Sequence, residues 1–233
     1  MKNLISTSKL SVFINRTQII ENISIDFVRG ELVAVIGKNG AGKSTLLKAI
    51  LQLLPHTGDC NLSSLTSEQR SRIVAWVPQQ RDIIWNIPVK MLLQYTAKKS
   101  ATNNAFKTKS IDQIIGEVLA LTGTKHLLNH NIRSLSGGEL TAVLIARALV
   151  QETPVLFMDE PLASLDPFQK LKILKLLKKL SLKGKTVVAT LHDIDLIEKF
   201  FGRVISLKNG RVIDNDTPEN VLKPNRLRRL YSD

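Results

Sequence analysis

The stretch Gly37-Lys38-Asn39-Gly40-Ala41-Gly42-Lys43-Ser44-Thr45 constrains this chain more than any other, because it meets the pattern G-x-x-x-x-G-K-[ST] at every required position. Such a loop works only between a buried strand and a helix. Both neighbours are present in the sequence. Glu31 to Ile36 (ELVAVI) is a short apolar, β-branched run that reads as a buried strand, and Leu46 to Leu54 reads as a helix. The glycines let the backbone turn tightly and bring its N–H groups against phosphate oxygens, while the helix start adds its positive dipole end. Lys43 is placed to reach the β- and γ-phosphates, and the Ser44 hydroxyl to ligate Mg²⁺. The same backbone cradle draws in Gly37, Asn39, Gly40, Ala41, Gly42 and Thr45.

The rest of the chain reads as an α/β protein around that loop. Residues 10–14 and 19–27 alternate apolar with polar, as antiparallel strands leading into the P-loop strand would. Phe13 lies in the first of these, where its ring can stack on adenine or, as is commoner for such a residue, pack in the core. Pro55 to Gly58 reads as a turn, and Ile73 to Val77 as a second buried strand ending at Pro78-Gln79-Gln80. From there to about Asn131 the pattern is helical: Pro88 suits the first position of a helix through Thr96, and Ile111, Ile114, Ile115, Val118 and Leu119 recur at helical spacing. Between them a polar, basic stretch from Lys98 to Ser110 reads as a surface loop.

Ser136-Gly137-Gly138-Glu139 then opens a helix, Leu140 to Val150, with Ser136 as its N-cap, and makes a second anion-binding helix start. Val155 to Met158 is a buried strand that delivers Asp159 and Glu160 at its C-terminal end, where open α/β sheets bind ligands. An amphipathic helix, Phe168 to Leu180, leads to a strand at Thr186 to Leu191 that ends on His192-Asp193. Asn209-Gly210 marks a two-residue hairpin, and the tail from Pro218 reads as a short basic helical segment.

Composition narrows the setting. No apolar run approaches the ~18 residues of a membrane span, and MKNLISTSKL lacks the apolar core of a signal peptide, so neither membrane crossing nor secretion by that route is expected. Cys60 is the only cysteine, and His56, His126, His130 and His192 form no spaced cluster, so no structural metal is expected. The formal charge of +13 suggests an anionic neighbour, either nucleic acid or an anionic leaflet, without distinguishing them, and is equally read as solvated helix faces such as the one carrying Lys170, Lys172, Lys175, Lys178 and Lys179.

Taken in order, these motifs resemble those of the ATPase subunits of ABC transporters over nearly the whole chain. Gly37 to Thr45 is similar to the family's Walker A motif, Gln79 to its Q-loop, and Leu135 to Glu139 to its LSGGQ signature with glutamate last. Val155 to Glu160 resembles Walker B, Ser164-Leu165-Asp166 the D-loop, and His192 the switch histidine. The resemblance implies a P-loop NTPase (RecA-like) core with an N-terminal antiparallel β-subdomain. It also implies a helical subdomain inserted at about 80–150 of a single domain spanning 1–233. It implies ATP and Mg²⁺ as ligands: Asp159 on the Mg²⁺ shell with Ser44 and Gln79, Glu160 orienting or deprotonating the attacking water, and His192 on the γ-phosphate. In such a family two subunits sandwich two ATP molecules head to tail, with Ser136, Gly137, Gly138 and Asp166 of one chain completing the site of the other. The chain departs from the usual signature continuation at Leu140, Thr141 and Ala142, and its span from Pro55 to Gln79 is short, so a trimmed β-subdomain is expected.

The implied partners are a second ATPase subunit, transmembrane permease subunits and, indirectly, an extracytoplasmic binding protein, on the cytoplasmic face of the cell membrane. Trp85, three residues before Pro88, resembles the zinc and manganese importers, with Ile84 and Ile87 replacing their aspartate and phenylalanine. Haem, siderophore and cobalamin importers share the overall organisation and form the alternative. A nucleic-acid ATPase of the same class would carry two cassettes or a long coiled coil. This chain has one Walker A and no sustained heptads, so no nucleic-acid partner is expected.

Overall fold

The structure, a computed structural model, describes residues 3–79, 86–100, 108–163 and 165–232. Trp85, Ser164 and most of the basic loop after Lys99 lie outside the described residues.

Two sheets form the frame. The first is antiparallel, with the long strand β1 (Ile5–Ile14) pairing on β2 (Thr17–Ile23), β3 (Asp26–Phe27) and β5 (Thr57–Cys60). The single strand expected over 19–27 is therefore two. The chain breaks at Ser24-Ile25, where the Thr7 hydroxyl takes the Ile25 N–H at 3.1 Å. Pairing with β1 likewise draws Thr57 and Gly58 into β5, where a plain turn was expected. The second sheet has the order β10-β9-β4-β8-β7-β6. It is parallel through β4 (Leu32–Ile36), β6 (Val74–Val77), β7 (Val155–Met158), β8 (Thr186–Thr190) and β9 (Arg203–Lys208), with β10 (Arg211–Asp216) antiparallel at its edge.

Period-two alternation along the central strands separates two cores. Ala34, Leu156, Met158, Val187 and Ala189 point to one face, packed under α3 (Val89–Lys99), α4 (Ile111–Thr122), α5 (Gly137–Val150) and α6 (Pro167–Leu182). Val33, Val35, Phe157 and Val188 point to the other, against α1 (Lys43–Ile50) and the antiparallel sheet. Phe27 and Phe157 meet edge-to-face at 5.6 Å between ring centres and join that sheet to the parallel one. A short α2 (Ser67–Ser71) precedes β6, and α7 (Ile194–Phe200) follows β8.

Helix starts follow local capping chemistry. Thr66, Ser110 and Ser136 each close a capping box, and Asp166 caps α6 by accepting from the Gln169 N–H at 2.9 Å. Because Ser136 is the cap, α5 starts at Gly137, three residues before the expected Leu140. Pro88 is likewise the cap of α3, just outside the helix. The tail forms α8 (Pro218–Val221) and α9 (Pro224–Tyr231), which fold back onto the β9–β10 hairpin. Asp214, whose side chain is largely covered, accepts from Arg226 at 2.9 Å and Arg229 at 2.8 Å, and Lys208 Nζ donates to the carbonyls of Arg229 and Ser232 near the helix end. No helix among the described residues is long and apolar enough to cross a membrane.

Candidate active site

Parallel, in-register pairing decides which strand ends meet. Val77 is paired with Met158 and Met158 with Ala189, so the residues just beyond, Gln79, Asp159-Glu160 and Thr190 to His192, emerge side by side. β4 pairs on the far side of β8 and delivers the P-loop to the same edge. An open cleft of about 640 Å³ results, lined by Asn39, Gly40, Gly42, Lys43, Ser44, Thr45, Gln79, Glu160 and His192, with Ile14 and Ile19 from the β1–β2 hairpin.

The loop holds its lysine from behind. Lys43 Nζ donates to the carbonyls of Gly37 at 2.9 Å and Lys38 at 3.1 Å, and the residue is only 6% exposed. Burial pushes its ammonium below the ordinary lysine range, while Glu160 and Asp159 pull it back up. Gly42, at φ +100, starts α1 without a side-chain cap, and no acidic residue stands in the first turn. The first N–H groups of the helix therefore face the cleft beside a buried cation, which is the donor set of an anion site. α1 begins at Lys43, earlier than the expected Leu46, since a turn built from Lys43, Ser44 and Thr45 carries no apolar periodicity. Gly37 has no room for a side chain: an added Cβ would sit 2.3 Å from the Leu207 carbonyl oxygen.

Opposite the lysine, the Glu160 carboxylate accepts from Gln79 Nε2 at 2.8 Å and lies 2.8 Å from His192 Nε2. A carboxylate only accepts, so this contact places the histidine proton on Nε2. Glu160 sits at φ +46, a left-handed backbone that costs a non-glycine residue about 1–3 kcal/mol and persists only where the surroundings enforce it. Asp159, directly beneath, is 2% exposed. Thr190, which sequence reasoning missed, touches both: its hydroxyl donates to Asp159 Oδ1 at 2.7 Å and accepts the Glu160 N–H at 2.7 Å. Its only sequence signal is a hydroxyl in the otherwise apolar run from Val187 to Leu191.

These residues fit a magnesium nucleotide. The cleft has a lysine ammonium and free helix N–H groups for phosphate, a serine hydroxyl on its wall, and a buried carboxylate behind the loop. Its apolar wall differs from expectation, for Ile14 and Ile19 line it while Phe13 is half exposed and does not. Nor does the fold of one chain bring Ser136, Gly137, Gly138 or Asp166 to this cleft. The Ser136 hydroxyl donates instead to Glu139 at 2.8 Å, and its N–H donates to the same carboxylate, holding that carboxyl below its ordinary range. The end of the Gln169 side chain lies over Gly138, where an added Cβ would displace it.

A phosphate loop on a largely parallel sheet, with a carboxylate pair and a histidine at neighbouring strand ends, defines a P-loop NTPase. Comparison makes the class specific. Residues 20–163 match the family model for ABC transporters. The chain is 36% identical over 230 residues to the manganese transport system ATP-binding protein MntB of Halalkalibacterium halodurans, covering 96% of this chain and 92% of that one. It is 34% identical to the cobalamin import ATP-binding protein BtuD of Halobacterium salinarum, over 95% of this chain and 57% of that longer protein. A bacterial ABC transporter cassette solved as a dimer superposes with a TM-score of 0.77 at 28% identity, covering 92% of this chain and 98% of the other. The chain belongs to the ABC transporter family, as an ATP-binding domain of its transport-coupled ATPases.

Proposed function

We propose that this protein, a single ATPase domain over 1–233 with a helical subdomain at about 80–150, hydrolyses ATP as a homodimer and powers import across the cytoplasmic membrane, with manganese or zinc as cargo. The observation that carries the catalytic part is the hydrogen-bonded cluster of Gln79, Glu160 and His192 facing Lys43 across one cleft. Lys43 and the N–H groups of α1 bind the β- and γ-phosphates, and the apolar wall at Ile14, with Phe13 next to it, receives the base. Glu160 accepts the proton of the attacking water, in the position where Gln79 and His192 hold its carboxylate. Once Glu160 has taken that proton, His192 Nε2–H is released from the carboxylate and can donate to the γ-phosphate. Ser44, Gln79 and Asp159 are the residues that hold Mg²⁺, which when bound neutralises charge on the β- and γ-phosphate oxygens.

Dimerisation accounts for the residues left outside the cleft. Ser136, Gly137, Gly138 and Asp166 lie away from their own chain's P-loop, and a partner's copy of them closes it. A solved dimeric cassette of the same fold supports this arrangement. Docking on the permease, at the cytoplasmic face, falls to the groove lined by Ser67, Glu68, Tyr95, Lys99, Arg147 and Gln151, where Tyr95 is more than half exposed, as is Met91 one turn earlier on α3. Manganese is favoured because the manganese-system relative matches over nearly its whole length. Cobalamin, and with it haem or iron-siderophore import, is the second reading, favoured by the cobalamin-import relative.

The test is reconstitution with the cognate membrane subunits and binding protein. ATPase activity should rise when the binding protein is loaded with Mn²⁺ or Zn²⁺. A rise only with cobalamin, haem or a ferric siderophore would replace the metal reading, and no ATPase activity in the complex would reject the motor itself.

A further inference from the structure

We infer that Thr190 is a positioning residue of this ATPase, which orders the Asp159 carboxylate and the backbone turn at Glu160 through one bridging hydroxyl. The inference rests on the proposed roles of those two acids.

The position itself demands an explanation. Thr190 is fully buried at the end of β8, after Val187, Val188 and Ala189, where a valine would fill the same volume without carrying a polar atom. Burying a hydroxyl that finds no partner costs about 1–3 kcal/mol, so a buried threonine in such a strand is tolerated only where it is bonded. Here its donor and an acceptor lone pair are both used, at short distance and on the two adjacent residues that follow β7. The proton goes to Asp159 Oδ1 and the lone pair takes the Glu160 N–H, each at 2.7 Å. Parallel register supplies the reach: with Met158 opposite Ala189, the next residues along are Asp159 and Thr190.

The two bonds do different work. Donation to Oδ1 fixes the rotation of the Asp159 side chain and occupies one of its two oxygens. Acceptance from the Glu160 N–H holds that residue at φ +46, and the left-handed turn sets where its carboxylate leaves the backbone, toward Gln79 and His192. A single atom thus aligns the metal-side and water-side carboxylates with respect to each other. His192 lies two residues further on the same segment, so the bridge also ties the histidine-bearing strand end to them.

Thr190→Val and Thr190→Ser separate the hydroxyl from the volume. Valine keeps the shape and removes both bonds, whereas serine keeps both bonds and loses a methyl group. The expected result for Thr190→Val is an unchanged nucleotide affinity in EDTA, measured by calorimetry with ADP. The gain in affinity that Mg²⁺ confers on the wild type should be lost by about 10–100-fold, with a similar fall in kcat. Thr190→Ser should restore both to within about 3-fold. Asp159→Asn is the reference. If it abolishes the Mg²⁺-dependent gain while Thr190→Val keeps it, the role of Thr190 is overturned and the reading of Asp159 stands. If Asp159→Asn itself keeps the gain, the reading of Asp159 falls and this inference with it. A serine variant as impaired as valine, at equal thermal stability, also overturns it, because the methyl group and not the hydroxyl would then matter.

Discussion

Replacing Glu160 by glutamine tests the centre of the cluster. The carboxylate accepts two hydrogen bonds, from Gln79 Nε2 and His192 Nε2, both at 2.8 Å. A glutamine keeps the shape and can keep both contacts, because its NH₂ can donate to the Oε1 of a flipped Gln79 amide or to His192 Nε2 in the other tautomer, so the fold is left intact. Loss of the proton acceptor is the main effect: removing a general base lowers turnover by about 10²–10⁴-fold, or ~2.7–5.5 kcal/mol of barrier. ATP affinity should hold or tighten, because a negative charge is removed from beside the phosphates while Lys43 and the start of α1 are untouched. Phosphate release in a single turnover, paired with equilibrium ATP binding, separates these effects. Turnover within about 5-fold of wild type would remove Glu160 as the base. A loss of more than about 10-fold in ATP affinity would show that its part is structural instead.

Four further expectations concern Lys43, Asp214 and Ser136. Lys43→Met should weaken ATP binding by at least ~10-fold, read by calorimetry, since a charge-assisted bond is worth about 1.5–3 kcal/mol. The folded-state pKa of Lys43 is lowered by burial, so its charged form costs stability at neutral pH, and that cost is relieved as pH rises through the folded pKa toward the ordinary value of about 10.4. Melting of the nucleotide-free proteins should therefore show the wild type gaining on Lys43→Met with rising pH, and parallel curves would contradict this. Asp214→Asn should loosen α9 by about 1–3 kcal/mol, less than for a fully buried pair because Arg226 and Arg229 are 37% and 57% exposed and can turn to water. That loss lowers Tm by about 2–4 °C per kcal/mol with ATP affinity unchanged, and an unaltered Tm would refute the anchor. Ser136→Arg in one subunit of a mixed dimer should disable hydrolysis at the partner's P-loop, and a defect confined to the mutated chain's own P-loop would exclude a shared site.

Much of this molecule is legible one segment at a time. The P-loop is recognisable because its glycines, lysine and serine are contiguous, and β4, β7 and β8 because strands buried on both faces read as unbroken apolar runs. Ser136 is legible as a cap because capping is a contact between residues three apart. Where the reading slipped, the signal was weak or distant. The first turn of α1 is polar, β5 becomes a strand only by pairing with β1, and the break between β2 and β3 is enforced by Thr7, 18 residues from Ile25. The basic tail reads as a short helical segment without a role in the sequence, and its anchor appears only when the hairpin supplies Asp214 and Lys208.

By itself, then, the amino-acid sequence determined the elements, the phosphate loop and the identities of the acids and the histidine, since periodicity, capping and turn chemistry act within a few residues. Only the tertiary structure decided which of these groups touch. In-register pairing of β6, β7 and β8 carries Gln79, Glu160 and His192 within hydrogen-bonding distance although 81 and 32 residues separate them. The same pairing sets Thr190 against both acids. It leaves the start of α5 outside the cleft, because α5 packs beneath the opposite face of the sheet from α1.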